Sequence, residues 1–167
     1  MTATRATATL HLIAGLPGSG KTTYATALAS STRGALFSLD RWLITAYGRY
    51  EISDIGHDEH VRRVVACRAL IWSASSELLE RSVDVILDDG FFLREHRAAY
   101  AAMAAAQGAT TTIHHIAAPL AVLRERIERR NQALPTYNFR IDPSMLELFL
   151  AMFEIPEPGE ATRVVHA

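Results

Sequence analysis

The stretch from Gly15 to Thr22 reads Gly-Leu-Pro-Gly-Ser-Gly-Lys-Thr and constrains the fold of this chain more than any other segment. It matches the pattern G-x-x-x-x-G-K-[ST], in which a glycine-rich loop surrounds the phosphates of a nucleotide. A short apolar run, 10–14, precedes it, and an alanine-rich segment with helical spacing, 22–30, follows it. The pattern therefore predicts a buried strand, a phosphate-binding loop and a helix, in that order.

The residue types in this loop suit a di- or triphosphate ligand. Glycines allow successive backbone N–H groups and the positive end of the following helix to point at one anion. The Lys21 ammonium can reach the β- and γ-phosphates, and the Thr22 hydroxyl is placed to bind Mg²⁺. The residues predicted to bind the nucleotide are Gly15, Pro17, Gly18, Ser19, Gly20, Lys21, Thr22 and Thr23.

The use of basic residues singles out Lys21. Of the 17 lysine and arginine residues in the chain, 16 are arginine, and Lys21 is the one lysine. A planar guanidinium does not replace a compact ammonium inside a phosphate loop. We therefore predict that Lys21 is a catalytic residue.

Length and charge narrow the class of protein. With 167 residues and a formal net charge of −1, the chain is expected to form a single domain over 1–167, with a flexible segment at 1–8. This charge does not favour long nucleic acid as a partner. The single cysteine, Cys67, and the shortness of the first apolar run predict a cytoplasmic protein that does not insert into a membrane.

An acidic residue follows the second predicted strand. The run 35–39 reads as a short strand and is followed by Asp40 and Arg41. In open α/β sheets the ligands bind at the carboxyl ends of the strands, so Asp40 and Arg41 are candidates for the substrate side of the site. The alternative is that Asp40 only caps the helix that starts near Trp42.

Two further acids follow the third predicted strand. The apolar run of the strand 83–89 ends at Asp88 and Asp89. An acid at such a strand tip, beside the phosphate loop, holds the metal ion in P-loop proteins, and we assign this role to Asp88. Asp89 is predicted to face the acceptor instead. The aperiodic segment 47–57 is predicted to line the acceptor pocket. Phe91 belongs either to the core or to a wall of that pocket.

The helix that Pro119 opens carries four arginines within seven residues: Arg124, Arg126, Arg129 and Arg130. Such a cluster is either a solvated helix face or a lid that neutralises charge on a transferred phosphoryl group. Arg126 and Arg130 are one helical turn apart and project from the same side. These two are our candidates for catalytic lid residues.

Several motifs together carry a family resemblance. They are the loop GLPGSGKTT, the acid after the second strand, LDDGFF after the third, and AP followed by an arginine-rich helix that ends in RRN. This combination resembles the small P-loop kinases of the AAA-type ATP-binding family, whose members include polynucleotide kinase domains, zeta toxins and chloramphenicol phosphotransferases. The resemblance extends over about residues 9–165 and agrees with the alternation of strands and helices. It implies an α/β P-loop NTPase fold, with a doubly wound parallel five-stranded sheet flanked by helices and a nucleotide-kinase-like arginine lid.

The resemblance also implies functional roles. Gly18–Thr23 would bind the phosphates of ATP with Mg²⁺, Asp40 would be the general base for the acceptor hydroxyl, and Arg126 and Arg130 fall at lid positions counted from the helix-opening proline. One departure is Leu43, where the polynucleotide kinase has an arginine. The implied activity is transfer of the γ-phosphoryl group of ATP to a hydroxyl of a small molecule. A polynucleotide or nucleoside 5′-hydroxyl kinase and a non-catalytic ATP-binding regulatory module remain as alternatives.

Overall fold

A parallel five-stranded sheet lies at the centre of the structure, a computed structural model that describes residues 7–167. The strands are β1 Thr9–Ala14, β2 Ala35–Ser38, β3 Val85–Gly90, β4 Thr110–Ala117 and β5 Thr162–His166. Their order is β2-β3-β1-β4-β5, and every neighbouring pair is parallel. The strand that precedes the phosphate loop, β1, is therefore central, and β3 and β4 flank it.

Helices connect the strands, because parallel neighbours need a crossover rather than a tight turn. The helices are α1 Lys21–Thr32, α2 Leu39–Tyr47, α3 Ile52–Ile55, α4 His57–Glu80, α5 Arg94–Ala106, α6 Leu120–Gln132 and α7 Pro143–Met152, and a 3₁₀ turn spans Pro158–Glu160. Within residues 7–167, no helix has both the length and the apolar character needed to cross a membrane.

Both faces of the sheet are buried, which explains the nearly continuous apolar runs of its strands. Ile86 packs in one cluster with Ala25 of α1, whereas Leu87 belongs to the larger cluster that includes residues of α4 and α5. Successive side chains of a strand point to opposite faces. The side chain of Asp88 therefore lies on the α1 face of β3, and that of Asp89 lies on the α4 and α5 face.

The predicted α/β fold with five parallel strands is confirmed, with three local differences. The helix after β2 begins at Leu39 rather than near Trp42, because Leu39 already contributes to the buried core. The predicted loop at 48–57 contains the short helix α3. Pro119 precedes α6 as its N-cap instead of being its first residue.

The predicted flexible segment 1–8 extends too far along the chain. Residues 1–6 lie outside the described part of the structure. Ala8 is buried, and its carbonyl oxygen accepts a hydrogen bond of 2.9 Å from the amide of Thr110. Ala8 therefore packs against β4.

A buried polar chain links the centre of the sheet to α1. The rings of His11 and His114 are joined by a 2.9 Å contact between Nδ1 and Nε2, and the Tyr24 hydroxyl lies 2.8 Å from His114 Nδ1. Burial, with the nearby His11, lowers the pKa of His114 to about 4. A neutral imidazole can accept one hydrogen bond and donate the other. This arrangement gives His114 a structural role.

Arg97 joins the turn after β3 to the C-terminal segment. Its side chain is only 1% exposed. Its Nε and Nη2 donate to the Glu160 carboxylate at 2.8 and 3.0 Å, and Nη1 donates to the carbonyl oxygens of Phe91, Phe92 and Glu154 at 3.0, 3.2 and 2.9 Å. The guanidinium therefore satisfies five contacts in a place that water does not reach.

Replacement of Arg97 by alanine should lower the free energy of unfolding by about 3 kcal/mol, because it leaves a carboxylate and three carbonyls without their donor. Urea unfolding followed by circular dichroism measures the change. The control is Arg94→Ala, since Arg94 pairs with Glu157 on the surface and its side chain is 59% exposed. Such a surface pair contributes less than about 1 kcal/mol. Equal losses in the two variants would contradict this account.

Candidate functional site

The phosphate loop joins the end of β1 to the start of α1. Gly15 has a φ of +154°, and a Cβ at this position would lie 2.7 Å from the carbonyl oxygen of Ile116 in β4. The amide of Gly15 also donates to the carbonyl of Gly90 at the end of β3 at 3.0 Å. The loop is thus fixed between two strands, and only glycine fits at its first position.

The N-terminus of α1 presents donors that have no acceptor within residues 7–167. No side chain caps this helix, and its first turn contains no acidic residue. The first amide of the helix that has an acceptor is that of Tyr24, which donates to Gly20, so the amides of Lys21, Thr22 and Thr23 have no acceptor in the described part of the chain. Together with the positive end of the helix dipole, these donors fit an anion of the size of a phosphate group.

A buried hydroxyl adds to this donor set. Ser19 is 1% exposed, and its Oγ has no hydrogen-bond partner among the described residues. A buried polar group without a partner is costly unless a ligand satisfies it. The loop residues therefore fit the polyphosphate of a nucleotide.

Lys21 and Thr22 lie between the loop and β3. Lys21 Nζ donates to the carbonyl oxygen of Leu16 at 2.9 Å, and burial lowers the pKa of Lys21 while Asp88 and Asp40 oppose that shift. The Thr22 hydroxyl donates to Asp88 Oδ2 at 2.7 Å. The structure thus brings the predicted catalytic lysine and both predicted metal ligands to one place.

Asp40 and Asp88 lie close together at the ends of neighbouring strands. Ser38, the last residue of β2, is in register with Asp88, and Asp40 follows two residues later in the first turn of α2. Burial, reinforced by the charge of Asp88 and opposed by Lys21, raises the pKa of Asp40 to about 6. Burial also raises the pKa of Asp88, against the effect of Lys21.

The helix-cap alternative for Asp40 is wrong. The N-cap of α2 is Ser38, and no side-chain hydrogen bond caps this helix. Asp40 is instead the second helical residue, and its carboxyl group lies near Lys21 and Asp88, as their effects on its pKa show.

Thr22 and Asp88 also form a reasonable cation site. Mg²⁺ is typically held by one or two protein oxygens together with substrate phosphates and water. Residues 7–167 contain no group of three or more histidine, cysteine, aspartate and glutamate side chains that could hold a metal ion by themselves. A cation at this position would therefore take its remaining ligands from the phosphates and from water.

Helix α6 packs directly against the loop. A Cβ at Gly18, whose φ is +79°, would lie 3.0 Å from the carbonyl oxygen of Leu123. Arg126 Nη1 reaches the carbonyl oxygens of Gly18 and Ser19 at 3.4 and 3.5 Å. Burial lowers the pKa of Arg130, and the carboxylate of Asp40 opposes that shift. Arg130 Nε is buried and has no hydrogen-bond partner among the described residues.

The other two arginines of α6 point to solvent. Arg124 pairs with Glu147 at 2.9 Å, and Arg129 pairs with Glu125, all with exposed side chains. The cluster therefore combines both predicted alternatives. Arg126 and Arg130 face the loop and Asp40, whereas Arg124 and Arg129 are solvated.

Asp89 and Arg41, both predicted to contact the acceptor, have different surroundings. Asp89 accepts two hydrogen bonds from Arg68 of α4, from Nε at 2.7 Å and from Nη2 at 2.8 Å. Arg41 is exposed and lies 5.0 Å from the ring centroid of Tyr137. The ion pair between Arg68 and Asp89 was not predicted from the sequence. No local pattern connects a residue of α4 with one of β3.

Phe91 does not contribute a wall to the acceptor pocket. Its side chain is 1% exposed, and its ring packs at 5.2 Å from those of His96 and Tyr100. The core alternative is the one that the structure supports, because an apolar side chain in the turn after β3 packs under α5 rather than over the sheet edge.

Comparison with solved structures shows the same fold in several proteins. A proposed kinase from Chloroflexus aurantiacus matches with a TM-score of 0.76 and 22% identity, covering 96% of this chain and 89% of its own. Kti12 of Chaetomium thermophilum, in complex with ADP-AlF3, matches with a TM-score of 0.70 and 19% identity over 94% and 88% of the chains. A gluconokinase from Sinorhizobium meliloti matches with a TM-score of 0.63 and 19% identity, covering 97% of this chain and 84% of its own. These likenesses concern the fold.

Comparison with sequences defines the family. No curated protein matches the chain significantly. A family model described as "AAA domain" matches residues 10–156, which include the phosphate loop, Asp40, Asp88 and the arginines of α6. The chain therefore belongs to the AAA domain family, as its motifs had indicated.

Proposed function

We propose that this protein is an ATP-dependent kinase that transfers the γ-phosphoryl group to a hydroxyl of a small-molecule acceptor. The observation that carries the proposal is the position of Asp40, whose pKa of about 6 suits a general base, beside Lys21 and Asp88 at the phosphate loop. A protein that only binds ATP has no need for a second acid at this point.

Each residue of the site has a role in this proposal. The free amides of α1 and the Ser19 hydroxyl bind the phosphates, and Lys21 neutralises their charge. Thr22 and Asp88 would hold Mg²⁺, which when bound would neutralise charge on the phosphates. Asp40 orients the acceptor hydroxyl and takes its proton, while Arg126 and Arg130 stabilise the charge of the transferred group.

The family and the fold support this proposal at a coarser level. The chain belongs to the AAA domain family, and proteins of the same fold include a gluconokinase.

The one cysteine, Cys67, is a buried free thiol. This supports a reducing compartment, and we place the protein in the cytoplasm.

A screen of acceptors tests the proposal. The purified protein with ATP and Mg²⁺ is incubated with pools of nucleosides, aminoglycosides, sugars and 5′-hydroxyl oligonucleotides, and ADP release is measured. We expect one small-molecule pool to raise ADP release above the rate without acceptor. Stimulation by oligonucleotides alone would favour a polynucleotide kinase, and ATP binding without stimulation by any pool would favour a regulatory module.

Replacement of Asp40 by asparagine should lower turnover by about 10²-fold, since it removes the base but keeps the size of the side chain. ATP affinity should be retained, because the loop binds the phosphates. Below a pH of about 6 the wild-type rate should fall about tenfold per pH unit as Asp40 is protonated, and the variant should lose this dependence. Steady-state kinetics between pH 5 and 8 measure both effects.

The same variant should unfold at higher urea concentration. The folded state raises the pKa of Asp40, so the ionised group destabilises the fold above that pKa, by up to about 3 kcal/mol. Asparagine removes this cost, whereas the control Asp58→Asn, an exposed residue at the start of α4, should change neither stability nor turnover. Wild-type turnover in Asp40→Asn would refute the assignment of the base.

A further inference from the structure

Residues 133–140, which follow α6, contact the side predicted for the acceptor through the side chains of Arg41, Arg49 and Tyr50. Arg49 Nη2 donates to the carbonyl oxygens of Pro135 and Thr136 at 2.6 and 2.9 Å. The guanidinium of Arg41 lies 5.0 Å from the ring centroid of Tyr137, and the ring of Tyr50 lies 5.1 Å from that of Phe139. We call residues 133–140 the bridging segment.

The bridging segment is also fixed to α6. Asn131, near the end of this helix, donates to the carbonyl oxygen of Ile141 at 2.7 Å and accepts the amide of the same residue at 3.3 Å. Both ends of the segment are therefore held at the last turn of α6. The same helix carries Arg126, which reaches the phosphate loop.

The residues just before and after Arg49 are held in place by α4. The guanidinium of Arg63 lies 4.7 Å from the ring centroids of both Tyr47 and Tyr50, and it pairs with Glu59 at 2.7 Å. The Tyr50 hydroxyl lies 3.1 Å from His60 Nδ1. Because Tyr50 is held from two sides, its neighbour Arg49 starts from a fixed backbone position.

Arg49, like Arg126 at the phosphate loop, has backbone carbonyls as its partners rather than an acid. Among the ion pairs of residues 7–167 none involves Arg49, and both of its hydrogen bonds go to backbone carbonyls of the bridging segment. Both bonds come from Nη2, whose two N–H groups lie in the plane of the guanidinium, whereas the N–H groups of an ammonium rotate freely. These bonds therefore specify the position of the segment and are not part of a solvated charge network.

We infer that Arg49 is a positioning residue for phosphoryl transfer: it holds the bridging segment on the acceptor side and thereby keeps α6, with Arg126, at the phosphate loop. This inference rests on the proposed kinase function. A displacement of about 1 Å at a reacting group can cost about 10²-fold in rate, so two carbonyl contacts far from the chemistry are enough to matter.

Arg49→Ala, Arg49→Lys and the surface control Arg81→Ala, compared with the wild-type chain, test the inference. Hydrogen exchange read by mass spectrometry measures protection of a peptide over 133–141, in which the Asn138 and Ile141 amides donate hydrogen bonds, and, as a reference, of 9–14. We expect exchange in the bridging segment to rise by about tenfold in Arg49→Ala, to rise less in Arg49→Lys, and to stay unchanged in Arg81→Ala. Exchange in the reference strand should remain the same in all four proteins.

Kinetics provide the second readout. ADP release is measured with Mg²⁺-ATP and the acceptor found by the screen, or with water as acceptor if the screen finds none. Turnover should fall by about 10²-fold in Arg49→Ala with an unchanged KM for ATP, and Arg49→Lys should recover part of it. A merely structural residue would change the KM and the reference strand as well.

The outcomes separate this inference from the proposed function. Unchanged exchange in 133–140, or wild-type turnover in Arg49→Ala, overturns the role of Arg49 even if the protein is a kinase. If the wild-type chain releases no ADP under any condition, the proposed function fails, and the positioning role fails with it. In that case the exchange data still decide whether Arg49 holds the segment.

Discussion

Replacement of Lys21 by alanine should lower the turnover of ATP by about 10³-fold or more, because Lys21 supplies the charge that the transferred phosphoryl group needs. The structure places the ammonium inside the loop, 2.9 Å from the Leu16 carbonyl and near Asp40 and Asp88. No other lysine exists in the chain to compensate. Single-turnover measurement of ADP formation under saturating Mg²⁺-ATP isolates this loss from a change in affinity.

Charge alone should not rescue this variant. Lys21→Arg keeps the positive charge but not the compact geometry, so we expect it to stay far below the wild-type rate. The exposed arginine variant Arg81→Ala should retain full activity. A rate in Lys21→Arg close to that of the wild type would show that the loop needs only a positive charge. The prediction that a guanidinium cannot replace the Lys21 ammonium would then be wrong.

Removal of the ammonium should also change the acid pair. Lys21 opposes the upward pKa shift of both Asp40 and Asp88. Without it the pKa of Asp40 rises further, so the residual activity of Lys21→Ala should reach its half-maximal value at a higher pH than that of the wild type. A shift in the opposite direction would contradict the close placement of these groups.

The sequence allowed prediction of those parts of the fold and site that depend on neighbouring residues. The loop from Gly15 to Thr22 carries its own pattern, and Asp40 and Asp88 come directly after apolar runs. Because parallel strands bring their carboxyl ends to one edge, two acids far apart in the chain could be expected at one site. The start of α2 was less predictable, since it depends on how Leu39 packs in the core.

Long-range pairings of arginine were not predictable. Arg68 binds Asp89 across 21 positions, Arg97 binds Glu160 across 63, and Arg49 binds Pro135 across 86. Sixteen arginines and 18 acids allow many pairings, and no periodicity selects among them. The side on which Phe91 packs was equally open, because an apolar residue beside a site suits the core and a pocket wall alike.

The four arginines of α6 provide the sharpest internal comparison in the molecule. Arg126→Ala should reduce turnover by about 10³-fold, because the guanidinium at the loop stabilises charge that develops on the transferred group. Arg124→Ala, two residues earlier, should leave turnover unchanged, since that side chain is exposed and pairs with Glu147 on the surface. Alanine is a good helix former, so neither variant should disturb α6 itself.

The comparison is made by single-turnover kinetics together with ATP binding at equilibrium. Because Arg126 acts in the transition state, its loss should lower the rate of the chemical step far more than the affinity for ATP. Arg130→Ala should resemble Arg126→Ala, since these two residues share a face of the helix, and Arg129→Ala should resemble Arg124→Ala, since both side chains are exposed and ion-paired on the surface. If all four variants lost activity equally, the helix would act through its total charge, and the assignment of Arg126 and Arg130 as the lid pair would be wrong.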